Sequence, residues 1–322
     1  MFNRTYLYRL AQNLYYFFVI ILYSYYCYLV FGNIDALRPL REFSLDTLNQ
    51  HNLEGNDIIA IAGDFIKNEL FLADKKLDLI WILNTLTEQL KSLYLCPSYE
   101  EVVDVAYSAQ TDVLFVVATN NHRKTFILRA FTRTNFGWRE RNQCDISVGN
   151  PAHDYQKRST MRVLNDQLVF GEWLHSNRLH VLSLTLQLIS TIELPFNHFG
   201  FDAKLEGQSI LIAAGYRSAN STVLLRVVGE RADELTRIKC NFSWQPLFYK
   251  NTVIVFRQTA NLSEVAQLLI QPDRLQEFRL LRSVPFYWFS SVCIIGEKLH
   301  GFDTEDKKLK VYEIDENLIY EI

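Results

Sequence analysis

Short apolar runs separated by polar turns fill the chain from about residue 57 onward. They are easiest to see where residues 165–173, 176–184 and 186–194 follow one another. Each run has the length and the share of β-branched and aromatic side chains expected of a β-strand, and Asn, Asp, Gly or Lys residues bound it. No convincing amphipathic helix interrupts these runs, so the sequence predicts an all-β protein.

The same group of apolar runs recurs six times, which is typical of a repeat protein. The second run of each copy can be aligned on one anchor residue: Leu70, Leu114, Leu168, Ile210, Val253 and Leu299. Successive anchors are 44, 54, 42, 43 and 46 residues apart, close to the roughly 40–50 residues of a four-stranded propeller blade. A single sheet of this size cannot bury both of its faces, whereas radial stacking buries them in every copy. We therefore expect six blades over residues 56–322, with residues 318–322 as the last strand.

The turns between first and second runs support this assignment, because their residues tolerate the positive φ that tight hairpins need. They are Lys67-Asn68, Asn165-Asp166, Glu206-Gly207, Lys250-Asn251 and Gly296-Glu297. On these features the chain resembles the six-bladed β-propeller families of the YWTD, NHL and calcium-dependent lactonase type. Residues 70–74 followed by residues 77–81 look like the second and third strands of that class. No copy carries a literal YWTD, so the resemblance implies the architecture without a subfamily. A pair of packed sheets in a β-sandwich is the structural alternative.

Residues 14–31 form a run without charge that follows Arg4 and Arg9. About 18 residues lie within the roughly 17–25 of a bilayer-spanning helix and exceed the roughly 7–15 of a signal-peptide core. Small residues that would permit cleavage stand at Val30 and Gly32. Residues 1–32 are therefore predicted to be a signal peptide or a signal anchor, with a buried core helix as the alternative.

Targeting of this kind predicts that the rest of the chain enters the secretory pathway, either anchored in the membrane through residues 14–31 or released outside the cell. Residues 33–55 are predicted to be a linker with one possible strand, at residues 41–45. The formal charge of −3 and the lack of a long basic run disfavour nucleic-acid binding.

The five cysteines include no CxxC pair, which leaves zinc ribbons and redox dithiols without support. Cys96 and Cys144 each close an outermost run, and a disulfide between them is the one pairing that we predict. Three Asn-x-Ser/Thr sequons follow the apolar segment, at Asn220, Asn241 and Asn261. All three fall in connections that emerge on one face of a propeller, and we predict that they are glycosylated.

Metal chemistry has little support in the sequence. His175 and His180 are the closest histidine pair, but their spacing places them at different ends or faces of a hairpin. Asp104 and Asp202 lie in innermost runs and could face the central channel, where the lactonase resemblance implies a calcium ion held by carboxylate and Asn side chains. The other innermost runs are poor in such ligands. We therefore expect no cofactor, with calcium reserved for the alternative function.

The interval of 54 residues between Leu114 and Leu168 places an insertion at residues 145–158. Gly149-Asn150-Pro151 predicts an irregular loop there. The loop offers His153, Asp154, Tyr155 and Arg158, a mixture of aromatic and polar groups suited to recognition. We therefore expect a non-catalytic propeller that binds a protein or a small ligand. The alternative is a calcium-dependent lactonase or esterase with its site at the channel.

Overall fold

β-Strands account for all regular secondary structure in the computed structural model, which describes residues 37–44, 57–120, 125–147, 158–173, 176–216, 221–239, 246–250, 252–258, 263–271, 274–284, 289–303 and 307–314. All of them belong to one unit, Leu37–Ile314. Within these residues no helix has the length and apolarity to cross a membrane. The predicted apolar helix of residues 14–31 and the predicted last strand at residues 318–322 lie outside the described residues.

The first strand, β1 (Leu37–Ser44), is followed by five sheets that each consist of four consecutive antiparallel strands. Blade 1 contains β2 (Ile58–Asp64), β3 (Glu69–Asp74), β4 (Leu79–Asn84) and β5 (Leu90–Leu95). Blade 2 contains β6 (Glu100–Ser108), β7 (Val113–Asn120), β8 (Thr125–Thr134) and β9 (Gly137–Ser147). Blade 3 contains β10 (Ser159–Leu164), β11 (Gln167–Glu172), β12 (Arg178–Ser183) and β13 (Leu188–Glu193). Blade 4 contains β14 (Phe201–Glu206), β15 (Ser209–Tyr216), β16 (Ser221–Val228) and β17 (Arg231–Lys239). Blade 5 contains β18 (Leu247–Tyr249), β19 (Thr252–Gln258), β20 (Ser263–Gln271) and β21 (Arg274–Val284).

The sixth sheet joins the two ends of the unit. It consists of β22 (Phe289–Ile295), β23 (Lys298–Asp303) and β24 (Lys308–Ile314), with β1 as its fourth strand. β1 runs antiparallel to β24, with Leu37 opposite Ile314 and Ser44 opposite Lys308. The prediction of six consecutive blades therefore holds for five, and the fourth strand of the closure sheet comes from β1, before the first blade. The propeller begins at Leu37, inside the predicted linker, because pairing β1 with β24 covers the exposed edge of the last sheet.

The six sheets surround a common axis through their first strands. β2 contacts β6, β6 contacts β10, and the series continues through β14 and β18 to β22, which returns to β2. The cores lie between neighbouring sheets, because alternate residues of a strand point to opposite faces. In β7, for example, Phe115 and Val117 pack toward blade 3, whereas Leu114 and Val116 pack toward blade 1. Radial stacking thus buries both faces of each sheet, which is the arrangement of a β-propeller.

The strand order gives the propeller two different ends. Turns between first and second strands, and between third and fourth strands, emerge on one end, here named the lower face. Connections between second and third strands, and those from one sheet to the next, emerge on the other, the upper face. Positive φ angles occur at one residue in each of the five lower turns predicted from the sequence: Asn68, Asn165, Gly207, Lys250 and Gly296.

No disulfide joins Cys96 to Cys144, which corrects that prediction. Cys96 packs in the core between blades 1 and 2. Cys144 packs against the core between blades 2 and 3. The two thiols therefore lie on opposite sides of the blade 2 sheet, and a disulfide requires β-carbons only about 3.5–4.5 Å apart.

Candidate functional site

A cleft of about 320 Å³ opens between blades 2 and 3 at the upper face. Its aromatic wall comes from Phe126 at the start of β8, Phe170 in β11 and His180 in β12. The rings of Phe126 and Phe170 meet edge to face with their centroids 5.3 Å apart. His180 lies opposite Phe170 in the strand register, and the two rings stack at 6.3 Å with an angle of 21°. Cross-strand pairing therefore fixes the geometry of this wall.

His180 is neutral in the cleft at neutral pH. Burial lowers the pKa of His180 below its ordinary 6.5, and the positive charge of Arg178 lowers it further. The Nδ1 atom of His180 lies 3.4 Å from the hydroxyl of Thr191 in β13. A neutral imidazole offers both a donor and an acceptor, so the wall can interact with a ligand through hydrogen bonds as well as through its rings.

Two buried hydroxyl groups lie on the faces of blades 2 and 3 that pack against each other, beside residues of the cleft. Thr119 of β7 follows Val117 by two residues, and Ser159 of β10 precedes Met161 by two residues. Val117 and Met161 both pack in the apolar core between blades 2 and 3. Because side chains alternate along a strand, Thr119 and Ser159 face this side of their sheets. Each hydroxyl is buried and has no hydrogen-bond partner among the described residues.

Glu172 adds a carboxylate to this end of the cleft. It is the last residue of β11, lies opposite Ser159 in the register and lines the cleft with 6% of its surface exposed. Toward solvent, the lining changes to Ser147, Ser176 and Arg178. Arg178 is exposed and pairs with Glu193 at 3.2 Å. The cleft thus has apolar rings on its wall and hydrogen-bonding groups at both its depth and its rim.

The predicted insertion begins beside this cleft, since Ser147 is the last residue of β9. Of its four predicted binding residues, His153, Asp154 and Tyr155 lie outside the described residues. Arg158 lies on the opposite side of blade 3, where its guanidinium stands 5.6 Å above the ring of Trp173. Burial lowers the pKa of Arg158 from its ordinary value, although Asp57 opposes this effect. The structure therefore does not bring Arg158 into the cleft.

The central channel contains a different cluster of charges. Arg162 of β10 donates from Nε to Asp202 of β14 over 2.7 Å, and the second carboxylate oxygen of Asp202 accepts the backbone N–H of Phe248 at 2.7 Å. Burial raises the pKa of Asp104 to about 7, and the nearby charge of Arg162 opposes that rise. Cys293 lies near these charges, and burial raises its pKa to about 12.

This cluster does not fit a calcium ion. A calcium site needs several converging oxygen ligands, whereas the guanidinium of Arg162 already binds Asp202 and places a positive charge beside Asp104. Nowhere in the described part of the chain do three or more His, Cys, Asp or Glu side chains come together as a possible metal site. His180 lies in the cleft, away from the channel cluster, and His175 lies outside the described residues.

The three predicted glycosylation sites, Asn220, Asn241 and Asn261, also lie outside the described residues.

Sequence reasoning missed the cleft residues, although one signal was present. The second strand ends in an acidic residue in blade 1, blade 3 and the closure sheet, where these residues are Asp74, Glu172 and Asp303. In blade 1 and the closure sheet this residue anchors a third strand: Asp74 accepts from Trp81 Nε1 at 3.1 Å, and Asp303 accepts from Lys310 Nζ at 2.9 Å. Glu172 occupies the equivalent place in blade 3 and lines the cleft.

No known protein family and no curated protein matches the sequence. Solved structures do match the fold. The PQQ-bound aldose sugar dehydrogenase of Streptomyces coelicolor superposes with a TM-score of 0.62 at 9% identity, over 86% of this chain and 97% of that one. Hydrazine synthase of Kuenenia stuttgartiensis gives 0.58 at 9% identity, over 84% and 81%.

A chain of the mitotic checkpoint complex gives a TM-score of 0.54 at 11% identity, over 86% of this chain and 92% of that one. Identities this low show the fold alone, because unrelated functions share the same architecture. Together with the ring of first strands, they identify the chain as a β-propeller with four-stranded blades.

Proposed function

We propose that the chain is a six-bladed binding propeller, with the closure sheet counted as a blade, and that the cleft between blades 2 and 3 holds a small polar ligand. The cleft volume of about 320 Å³ lies in the range of roughly 300–1,000 Å³ usual for small-molecule sites. Apolar walls with a few converging polar groups are also typical of such sites.

The observation that carries this proposal is the lining of the cleft. The stacked rings of Phe170 and His180 and the ring of Phe126 stand beside the carboxylate of Glu172 and the rim hydroxyl of Ser147. Rings and hydrogen-bonding groups in one cavity favour a molecule that has both a flat face and polar groups.

The lining also restricts the chemistry of the ligand. Glu172 and the neutral His180 favour a molecule with hydrogen-bond donors. The rings of Phe126 and Phe170 favour a flat apolar portion on the same molecule. A sugar, a nucleoside or an aromatic amino acid has this combination, and a long flexible lipid does not.

The alternative function, a calcium-dependent hydrolase at the channel, is supported less well. Its site would require Asp104 and Asp202 as ligands of one ion, and Arg162 already forms an ion pair with Asp202. In the binding proposal the same cluster has a structural role, since Arg162 and the N–H of Phe248 link blades 3, 4 and 5 through Asp202.

The location of the protein remains part of the proposal. Residues 14–31 would deliver the chain to the secretory pathway, where Asn220, Asn241 and Asn261 meet the glycosylation machinery. Asn220 directly precedes β16, Asn261 precedes β20, and Asn241 stands between β17 and β18. These connections belong to the upper face of blades 4 and 5, so glycans there would leave the cleft between blades 2 and 3 accessible.

Binding can be tested by screening the full chain against sugars, nucleosides and amino acids, with the melting temperature as the readout. Ser147→Trp fills the rim of the cleft and should weaken the binding of any hit at least tenfold, about 1.4 kcal/mol. Asp166→Trp is the matched control, because Asp166 is exposed in a lower turn of blade 3. A hit that binds both variants equally well, or the absence of any hit among the three classes, would contradict the proposed site.

A further inference from the structure

The lower face of the propeller carries large apolar side chains at the tips of its turns. Phe65 and Ile66 lie between β2 and β3, with 59% and 81% of their surfaces exposed. Leu86 lies between β4 and β5 with 69% exposed, and Phe136 lies between β8 and β9 with its whole side chain in solvent, at 102%. Four such residues thus project from two neighbouring blades.

Folding does not require an apolar residue at position 136. Turns favour Gly, Asn, Asp, Pro and Ser for backbone reasons, and the turn at Phe136 is closed without its side chain. Thr134 donates from its hydroxyl to the carbonyl of Gly137 over 2.7 Å, and Gly137 supplies the positive φ of 110°. Phe136 therefore contributes an exposed ring that does not pack against the described part of the protein.

The apolar tips continue on another side of the ring. Val228, at the end of β16, has 61% of its surface exposed, and Leu205, near the end of β14, has 39%. Equivalent ends of strands in a propeller emerge at the same face, so the tips on blades 1, 2 and 4 all belong to the lower face. On the upper face, Tyr99 is the one comparably exposed large apolar residue among those described. A broad face with separate apolar tips matches a flat surface better than a single peptide.

The direction of β1 shows where the chain enters. Leu37, the first residue of β1, lies opposite Ile314, the last residue of β24, and third strands such as β24 end at the lower face. β1 therefore begins at the lower face. The predicted apolar segment ends at Phe31, and the five residues between them span at most about 20 Å when fully extended.

We propose that the lower face docks on the lipid bilayer that holds residues 14–31, with Phe65, Ile66, Leu86 and Phe136 at the level of the lipid headgroups. Large side chains with an apolar body partition to this boundary. The short connection before Leu37 permits no more than about 20 Å between bilayer and propeller, so the apolar tips of blades 1 and 2 lie within reach of the lipid. Docking of this kind rests on the predicted anchor and is independent of the ligand cleft.

The test uses the full chain with a photoreactive benzoylphenylalanine in place of Phe136, reconstituted in phosphatidylcholine vesicles that contain a radiolabelled lipid. The same group in place of Tyr99 on the upper face is the matched control. Illumination should transfer at least fivefold more lipid label to position 136 than to position 99. The same photoreactive group in place of Ile66, again compared with position 99, shows whether the labelling is confined to the turn at Phe136.

The other outcomes count against the proposal. Equal labelling at both positions would mean that the propeller has no preferred orientation on the bilayer. Illumination in cell membranes that joins position 136 to a protein and not to lipid would assign the lower face to a protein partner. Washing the vesicles with alkaline carbonate, which removes proteins that are not embedded in the bilayer, tests the anchor separately. If the chain resists this wash but position 136 stays unlabelled, the anchor prediction survives and the docking proposal fails. If the wash releases the chain and position 136 stays unlabelled, both fail.

Discussion

The two faces of this propeller differ in where they place polar and apolar groups. Near the upper face, polar side chains are buried and several have no partner among the described residues, including Thr119, Ser159, Ser221 and both ring nitrogens of His198. At the lower face, apolar side chains are exposed at turn tips, most completely Phe136. Each arrangement is the reverse of what folding alone favours, and the ligand and the bilayer that we propose would each account for one of the two faces.

The comparison also separates two kinds of recognition. In the binding proposal, the rings and hydrogen-bonding groups that line the cleft select a small molecule of matching shape, because a wrong ligand leaves polar groups unsatisfied. Exposed apolar tips spread over several blades select a surface by area and impose little chemical specificity. The predictions below test whether the two ends differ as strongly in energetics as they do in composition.

The largest expected effect comes from a buried ion pair of blade 2. Arg129 of β8 donates from both terminal nitrogens to the carboxylate of Glu100, at 2.6 and 3.0 Å. Arg129→Met should lower the free energy of unfolding by about 3–5 kcal/mol, because Glu100 is then a buried charge without its principal partner. Denaturant unfolding measures the difference.

The matched variant at the lower end is Arg226→Met, which breaks the 2.8 Å pair with Glu206. Both of those side chains are more than 40% exposed, so the loss should stay below about 1 kcal/mol. Comparable losses in the two variants would remove the energetic contrast between the faces.

The repeat itself could be predicted from the sequence, because apolar runs and turn residues are local signals. Every lower turn chosen for its residue types contains a positive φ, as at Asn68 and Gly207. The closure could not be predicted in the same way, since pairing of β1 with β24 is a contact between distant parts of the chain. In residues 37–44 the apolar positions are few and Pro39 interrupts them, so the segment looks like a linker until β24 gives it a partner.

The candidate site was predicted less completely. The sequence predicted a binding loop over residues 145–158, which begins next to the proposed cleft between blades 2 and 3. It did not identify the cleft residues, since Phe126 and Phe170 look like any other core residues of a strand. Arg158 was chosen from its position in a polar loop, yet the stacking of its guanidinium on Trp173 depends on a fold contact that the loop sequence does not contain.

A buried histidine near the upper face should contribute strongly to the response of stability to acid. His198 is fully buried, and burial lowers its pKa to about 4. A His with a lowered pKa contributes stability that is present above its ordinary pKa of 6.5 and is lost as pH falls toward about 4, because the unfolded chain binds the proton more readily. The full loss from this one residue is on the order of 3 kcal/mol.

His198→Leu removes that proton uptake and should flatten the fall in unfolding free energy between the two pKa values. Burial also lowers the pKa of His300 to about 4. In the His198→Leu variant His300 still takes up a proton on unfolding, so the pH dependence of the unfolding free energy becomes weaker but does not vanish. Urea unfolding at a series of pH values gives the slope. An unchanged slope would mean that His198 is accessible to protons in the folded state.

The smallest effect is expected at the lower tips. Ile66 and Phe136 have 81% and 102% of their surfaces exposed, so replacing either with Ser removes almost no buried area. The free energy of unfolding of the detergent-solubilised chain should change by no more than about 0.5 kcal/mol. Tyr99→Ser on the upper face is the comparison, and its change should be larger because about half of that side chain is covered. A loss above about 1 kcal/mol in Phe136→Ser would show that the ring packs within the protein, and the lower face would then lose its clearest mark of an external contact.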